Sequence, residues 1–154
     1  MPQAIETVDV AVPIDVAYNA WTRFEDFPQF LSNVMFVTQV SDTLTVWKVK
    51  VGGVERAFEA QITEQHPDER IAWNTTGGQV DHAGVITFHR LSPGHTRLTV
   101  QLDWEATGLL EHLGAVLGID NRAIKHGLRN FKDYVESGNA DGAGWRGDVP
   151  ADRP

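Results

Sequence analysis

Residues 84–104 read GVITFHRLSPGHTRLTVQLDW, two alternating runs about one turn. Gly84, Ile86 and Phe88 interleave with Val85, Thr87 and His89. After the turn, Leu98, Val100, Leu102 and Trp104 interleave with Thr99, Gln101 and Asp103. A period of two sends the first set to one face of a strand and the second set to the other. Pro93-Gly94 supplies the reversal between the runs. The stretch predicts a hairpin with one dry and one wet face, which is the pattern of an antiparallel sheet.

The same pattern continues outward. Trp47, Val49 and Val51 alternate with Lys48 and Lys50; Phe58, Ala60 and Ile62 with Glu59, Gln61 and Thr63; Ile71 and Trp73 with Ala72 and Asn74. Turn pairs separate these runs at Ser41-Asp42, Gly52-Gly53, Pro67-Asp68 and Gly77-Gly78. At the front, Val8, Val10 and Val12 predict a further strand, ended by Pro13. Tyr18, Trp21 and Phe24 then recur every third residue, with Ala17 and Ala20 on the same side, and predict a short helix over 14–24. Phe27, Phe30 and Leu31 predict a second one, with Pro28 in its first turn. From Leu109 the period lengthens: Leu109, Leu113, Val116, Leu117, Ile124, Leu128, Phe131 and Val135 follow helical spacing, with a break expected near Gly118 and Asp120. The class is α+β. Residues 1–137 read as one domain, and the Gly-, Asp- and Pro-rich stretch 138–154 as a flexible tail, in which Arg146-Gly147-Asp148 matches an adhesion tripeptide by chance.

Composition narrows the function. A chain of 154 residues buries enough surface to fold without staples. It has no cysteine, so disulfides, thiolate metal sites and thiol nucleophiles are excluded. The formal net charge of −8, with no basic block, disfavours nucleic acid and anionic membrane surfaces as partners. No signal-like N-terminus and no membrane-spanning apolar run is visible, so a cytoplasmic location is expected.

The dry face carries the candidate chemistry. Trp47, Phe58, Trp73, Phe88 and Trp104 share it with Ile86 and with the small Ala60 and Gly84, a mixture that leaves room for a cavity; a solid core filled by the same rings is the alternative. His82 has the same parity as Gly84, and an imidazole there would move a proton or hydrogen-bond a ligand carbonyl, unless it lies inert at the rim. Arg56 and Arg90 also have inward parity, where a guanidinium would stabilise an enolate, although an arginine near a strand end readily reaches solvent. Tyr18 and Trp21 are read as anchors of the first helix. His112 and His126 are about 21 Å apart on a straight helix, and His82 and His89 have opposite parity, so no metal site is expected. No nucleophile elbow, phosphate loop or dinucleotide fingerprint occurs, and no cofactor is expected.

The ordered set of Val12-Pro13, Tyr18-x-x-Trp21, Phe24-x-x-Phe27-Pro28-x-Phe30, Pro67-x-x-Arg70-Ile71-Ala72-Trp73, Gly84-x-Ile86-x-Phe88 and Gly127-Leu128-x-x-Phe131-Lys132-x-x-Val135-Glu136 resembles the START-like (SRPBCC) superfamily, and within it the polyketide cyclase/dehydrase family, over residues 5 to 137. The resemblance implies a helix-grip fold: a seven-stranded curved antiparallel sheet, two short helices and one long C-terminal helix enclosing a cavity. Leu113 and Leu117 of that helix would then join the aromatic residues as ligand contacts. It also implies binding of a lipid-, sterol- or polyketide-like molecule, and in some members aromatic ring closure and dehydration.

The expected function is therefore binding of a small hydrophobic ligand in an internal cavity. Two rivals stand beside it: a cofactor-free polyketide cyclase/dehydratase using His82 and an arginine, and a partner- or membrane-associated module acting through the outer helix face or the tail. A homodimer is compatible with the sequence.

Overall fold

The computed structural model describes residues 3–51, 53–78, 82–104, 121–138 and 142–150. Each alternating run becomes a strand: β1 (Gln3–Val10), β2 (Val34–Gln39), β3 (Leu44–Val51), β4 (Val54–His66), β5 (Arg70–Gly78), β6 (His82–Ser92) and β7 (His95–Trp104). Helix α1 (Ile14–Thr22) and a 3-10 helix (Phe24–Gln29) separate β1 from β2, and α2 (Asn121–Glu136) follows the sheet. The strands form one antiparallel sheet in the order β1-β7-β6-β5-β4-β3-β2. The chain thus meanders from β2 to β7, and β1 closes the row beside β7. The tight reversals sit where the sequence offers positive φ: Gly53 at +81° between β3 and β4, and Asp68 at +64° between β4 and β5. The expected helix break at Gly118 and Asp120 lies outside the described residues.

The dry face divides into two halves. Over one half, α1 and α2 lie directly on the sheet. Tyr18 of α1 meets Phe88 of β6 edge-on at 5.3 Å, and Val10, Ile86, Leu98, Phe131 and Val135 are shielded from solvent almost completely. The phenol of Tyr18 is buried, and its hydroxyl accepts a hydrogen bond from Gln65 Nε2 at 2.9 Å. Burial pushes its pKa above the usual value against that hydrogen bond, so it stays neutral. Gln65 itself comes inward through a bulge between Ile62 and Glu64, which shifts the alternation of β4 by one residue.

Helix α2 also covers the free edge of β1, which would otherwise expose unpaired backbone groups. Lys132 Nζ donates to the Asp9 carbonyl at 3.1 Å, and Glu136 accepts from the Ala11 amide at 2.7 Å. Burial raises the Glu136 pKa, but the hydrogen bonds from Lys132 and Ala11 outweigh it and hold the carboxyl below its usual range. Arg97 does the same for Asp9 across the β1–β7 pair, mainly through its hydrogen bond.

Residues 142–150 differ from the expected tail. They lie against the body as a strap. Val149 exchanges two backbone hydrogen bonds with Gln65, at 2.9 and 2.7 Å. Arg146 bridges Asp68 at 2.8 Å, donates to Asn19 at 2.6 Å and stands over the Tyr18 ring. The glycines that suggested disorder permit the approach: a side chain at Gly144 would collide with Thr22 and with the Asn19 backbone of α1. Arg146 and Asp148 are thus engaged within the molecule.

His66 holds the strap through both ring nitrogens, Nδ1 to Asp148 at 2.5 Å and Nε2 to Glu64 at 2.9 Å. Carboxylates only accept, so both nitrogens must carry protons and the ring is an imidazolium. The hydrogen bond to Asp148, then that to Glu64, raises its pKa. Arg70, which pairs with Glu64 at 3.3 Å, is the other charge facing this cluster. A raised folded pKa gives stability that is fully present below the unfolded value of about 6.5 and is lost as pH rises through the folded pKa. His66→Gln should therefore melt below the wild type at about pH 6, with the gap closing as pH rises through the raised folded pKa. Thermal unfolding of both proteins across that range measures it. A gap independent of pH would contradict the imidazolium.

Candidate functional site

Over the other half of the dry face the helices stand off part of the sheet, and a cavity of about 270 Å³ remains. Its roof begins with a spacing of three. Trp21, Phe24, Phe27 and Phe30 recur every third residue, and a 3-10 helix turns once in three, so the rings align on one side. They pack edge to face or tilted: Trp21 on Phe27 at 5.2 Å, Phe24 on Phe27 at 5.4 Å and Phe27 on Phe30 at 5.2 Å. Phe131 of α2 closes on Trp21 at 5.0 Å and on Phe30 at 5.2 Å. Phe27 also reaches down to Trp47 at 5.6 Å, and Trp47 stacks on its cross-strand partner Phe58 at 5.6 Å.

The floor is a row across the sheet. Register sets Ile62 beside Trp73, Trp73 beside Gly84 and Gly84 beside Leu102. Ile62, Trp73 and Leu102 line the cavity, while Gly84 lies beneath the Trp73 indole. Gly84 therefore makes room for a ring of the wall, and the cavity begins above that ring. A methyl group at Gly84 would collide with Trp73 and Leu102. Gly84→Ala should destabilise the protein by about 1–3 kcal/mol, as overpacking of a filled site does. Denaturant unfolding measures this, and unchanged stability would contradict the contact.

The residues singled out from sequence separate accordingly. Trp47, Phe58, Trp73 and His82 come together in the cavity wall. Ile86 and Phe88 share their parity but lie under α1 in the sealed half, away from the cavity. Arg56 does not line it either: its Nη1 folds back to the Glu55 carbonyl at 3.0 Å. Arg90 is exposed, beyond the reach of the hollow half, in a surface dent with Asp15, Asn19, Asp68 and Arg146. Neither arginine lines the cavity, which parity alone does not reveal. The side chain of Trp104, and Leu113 and Leu117, lie outside the described residues.

His82 is held on three sides. Its ring meets Phe58 edge-on at 5.3 Å. Its backbone amide donates to Thr75 Oγ1 at 3.1 Å, and that hydroxyl donates to its carbonyl at 3.3 Å. Trp73 Nε1 donates to its Nε2 at 3.2 Å. An indole nitrogen only donates, so Nε2 is an acceptor and the ring is the neutral Nδ1–H tautomer. The other indole in the wall is arranged alike: Trp47 Nε1 donates to the buried Thr45 Oγ1 at 2.8 Å, and that hydroxyl donates to the Ala60 carbonyl at 3.0 Å.

Among the described residues, three both line the cavity and are exposed: Ser32 and Asn33 in the loop before β2, and His126 on α2. They mark its opening. Loop and helix meet there closely enough that a side chain at Gly127 would strike Leu31. Asn130 completes the rim, with Nδ2 donating to the Phe30 carbonyl at 3.1 Å. Sequence reading missed this opening, because a loop and a distant helix turn share no periodicity. It also read Trp21 only as an anchor, although the Trp21-Phe24-Phe27-Phe30 spacing was visible. Among the described residues, no group of three or more His, Asp or Glu is arranged to hold a metal, and no helix is long and apolar enough to cross a membrane.

A family model described as polyketide cyclase / dehydrase and lipid transport matches residues 10–132. The chain belongs to that family. It is 46% identical over 149 residues to an uncharacterized 17.2 kDa protein in the melC2-rnhH intergenic region of Streptomyces lincolnensis, covering 97% of this chain and 99% of the relative. A START superfamily protein from Mycobacterium smegmatis superposes with a TM-score of 0.75 at 17% identity, over 88% of this chain and 97% of that one. The di-domain ARO/CYC StfQ from the steffimycin biosynthetic pathway superposes with a TM-score of 0.64 at 17% identity, over 90% of this chain and 46% of that one. These likenesses establish the helix-grip, START-like fold expected from the sequence.

Proposed function

We propose that this family member binds a small, ring-bearing apolar molecule in the cavity between the aromatic roof and the sheet. The observation that carries the reading is the hollow itself, walled by Trp21, Phe27, Trp47, Phe58 and Trp73 where the other half of the same face is packed solid. At about 270 Å³ the space falls just under the usual range of about 300–1,000 Å³ for ligand sites. It suits one or two rings better than a long acyl chain. Binding draws on burial of apolar surface at roughly 25 cal/mol per Å², together with ring-on-ring contacts.

The positions of the polar groups favour binding over ring closure. An aldol-type closure needs a cation or donor at the developing enolate and a base nearby. Arg56 and Arg90 stand outside the cavity, and the Nε2 lone pair of His82 is engaged by Trp73. In this reading His82 is a fixed part of the wall.

Filling the cavity tests the proposal. Ala60 lines it and is nearly fully buried. Ala60→Trp should reduce the affinity for naphthalene at least tenfold, followed by tryptophan fluorescence quenching, while a cooperative thermal transition persists. Full affinity in the variant would contradict binding at this site.

A further inference from the structure

Among the described residues, the polar groups of the cavity divide into those of the sheet wall and those of the opening. In the sheet wall, both indole N–H groups, the Thr45 hydroxyl and His82 Nε2 are already engaged: Trp47 with Thr45, Thr45 with Ala60, and Trp73 with His82. A ligand oxygen driven to that wall would lose its water and meet partners that are already occupied, at a substantial penalty. At the opening the situation reverses. Ser32, Asn33 and His126 are open to solvent, and Asn130 is fixed by Phe30 with its amide at the rim. These are amide, hydroxyl and imidazole groups, suited to a hydroxyl or carbonyl that keeps some contact with water.

Charge sharpens the ligand class. No described lining residue is Lys, Arg, Asp or Glu. A carboxylate or phosphate would find no countercharge in the wall, and the net charge of −8 repels anions from the whole surface.

Resting on the binding function proposed above, we infer that the ligand is an uncharged ring compound with a hydroxyl or carbonyl at one end. It enters ring first and leaves its oxygen at the opening between Asn33, His126 and Asn130. Ring-body recognition by Trp47, Phe58 and Trp73 is then independent of polar recognition at the rim. The rim is a specificity subsite, and it separates ring compounds by the position of their oxygen.

Three probes of similar size test the inference on the full chain: naphthalene, 2-naphthol and 2-naphthoate. The wild type should bind 2-naphthol about threefold to tenfold more tightly than naphthalene, the net effect of one good hydrogen bond, and should bind 2-naphthoate at least tenfold more weakly than 2-naphthol. In Asn33→Ala/His126→Ala the ratio of 2-naphthol to naphthalene affinity should fall toward one. Both positions are exposed, so folding is retained, and thermal melting checks it. Intermolecular nuclear Overhauser effects in the wild type give an independent readout. Protons beside the hydroxyl should contact His126, and those of the far ring should contact Trp47 and Phe58. Equal affinity for 2-naphthol and naphthalene, a ratio unchanged in the variant, stronger binding of naphthoate, or a reversed orientation would each overturn the inference while leaving cavity binding intact. Binding of none of the three would overturn the cavity function as well.

Discussion

The contact of Trp21 with Phe131, ring centroids 5.0 Å apart and nearly perpendicular, is where α1 meets α2, and the cavity depends on it. Edge-to-face rings favour one separation and resist both closer approach and sliding. From that contact the rings run on through Phe27 and Trp47 to Phe58, so roof and floor are joined by aromatic packing at one side of the hollow. Packed rings do not flow into an adjacent void as flexible side chains do, because interiors are packed to crystal-like density in fixed rotamers. The hollow half of the sheet stays open because its walls are stiff. The sealed half, with Tyr18, Ile86, Phe88 and Leu98, carries the ordinary core.

Polar chemistry follows the same division. Gln65 and Tyr18 satisfy each other under α1, and the strap of residues 142–150 closes over that end through Arg146, Val149 and the His66 imidazolium. In the hollow half the indole donors are satisfied by neighbouring wall residues. What a ligand meets inside is mainly ring faces and methyl groups. What it meets at the opening is amide, hydroxyl and imidazole. An apolar body and a single polar end are the complement of that arrangement.

Much of this was legible in the sequence. Alternation from Trp47 to Trp104 identified each strand there and its dry face, and the break to three-to-four spacing located the last helix. Alternation reports which face a residue occupies and says nothing of what covers that face. Phe88 and Trp73 therefore looked equivalent, although one lies under α1 and the other walls the cavity. Arg56 and Arg90 likewise have inward parity without lining the cavity. The bulge at Ile62–Glu64 shifts parity by one residue, and no turn or glycine marks it, so Gln65 was not recognised as a core residue. Gly84 read as empty space because its partner across the strands is a tertiary fact: the indole of Trp73 fills the room it leaves. The strap was hidden by composition, since glycines that loosen a free chain are also those that let Gly144 lie flat on α1. The opening, built from a loop and a helix turn far apart in the chain, had no local signature at all.

Everything functional above requires that the space between the aromatic roof and the Ile62–Trp73–Leu102 row be an accessible apolar void. Xenon enters such voids in crystals without needing any particular chemistry. Diffraction from a crystal of the protein under xenon pressure should show a strong, ordered xenon site among Phe27, Trp47, Ile62 and Leu128, with the surrounding side chains unmoved. Well-ordered side chains closing that space, with no xenon bound inside, would contradict the account.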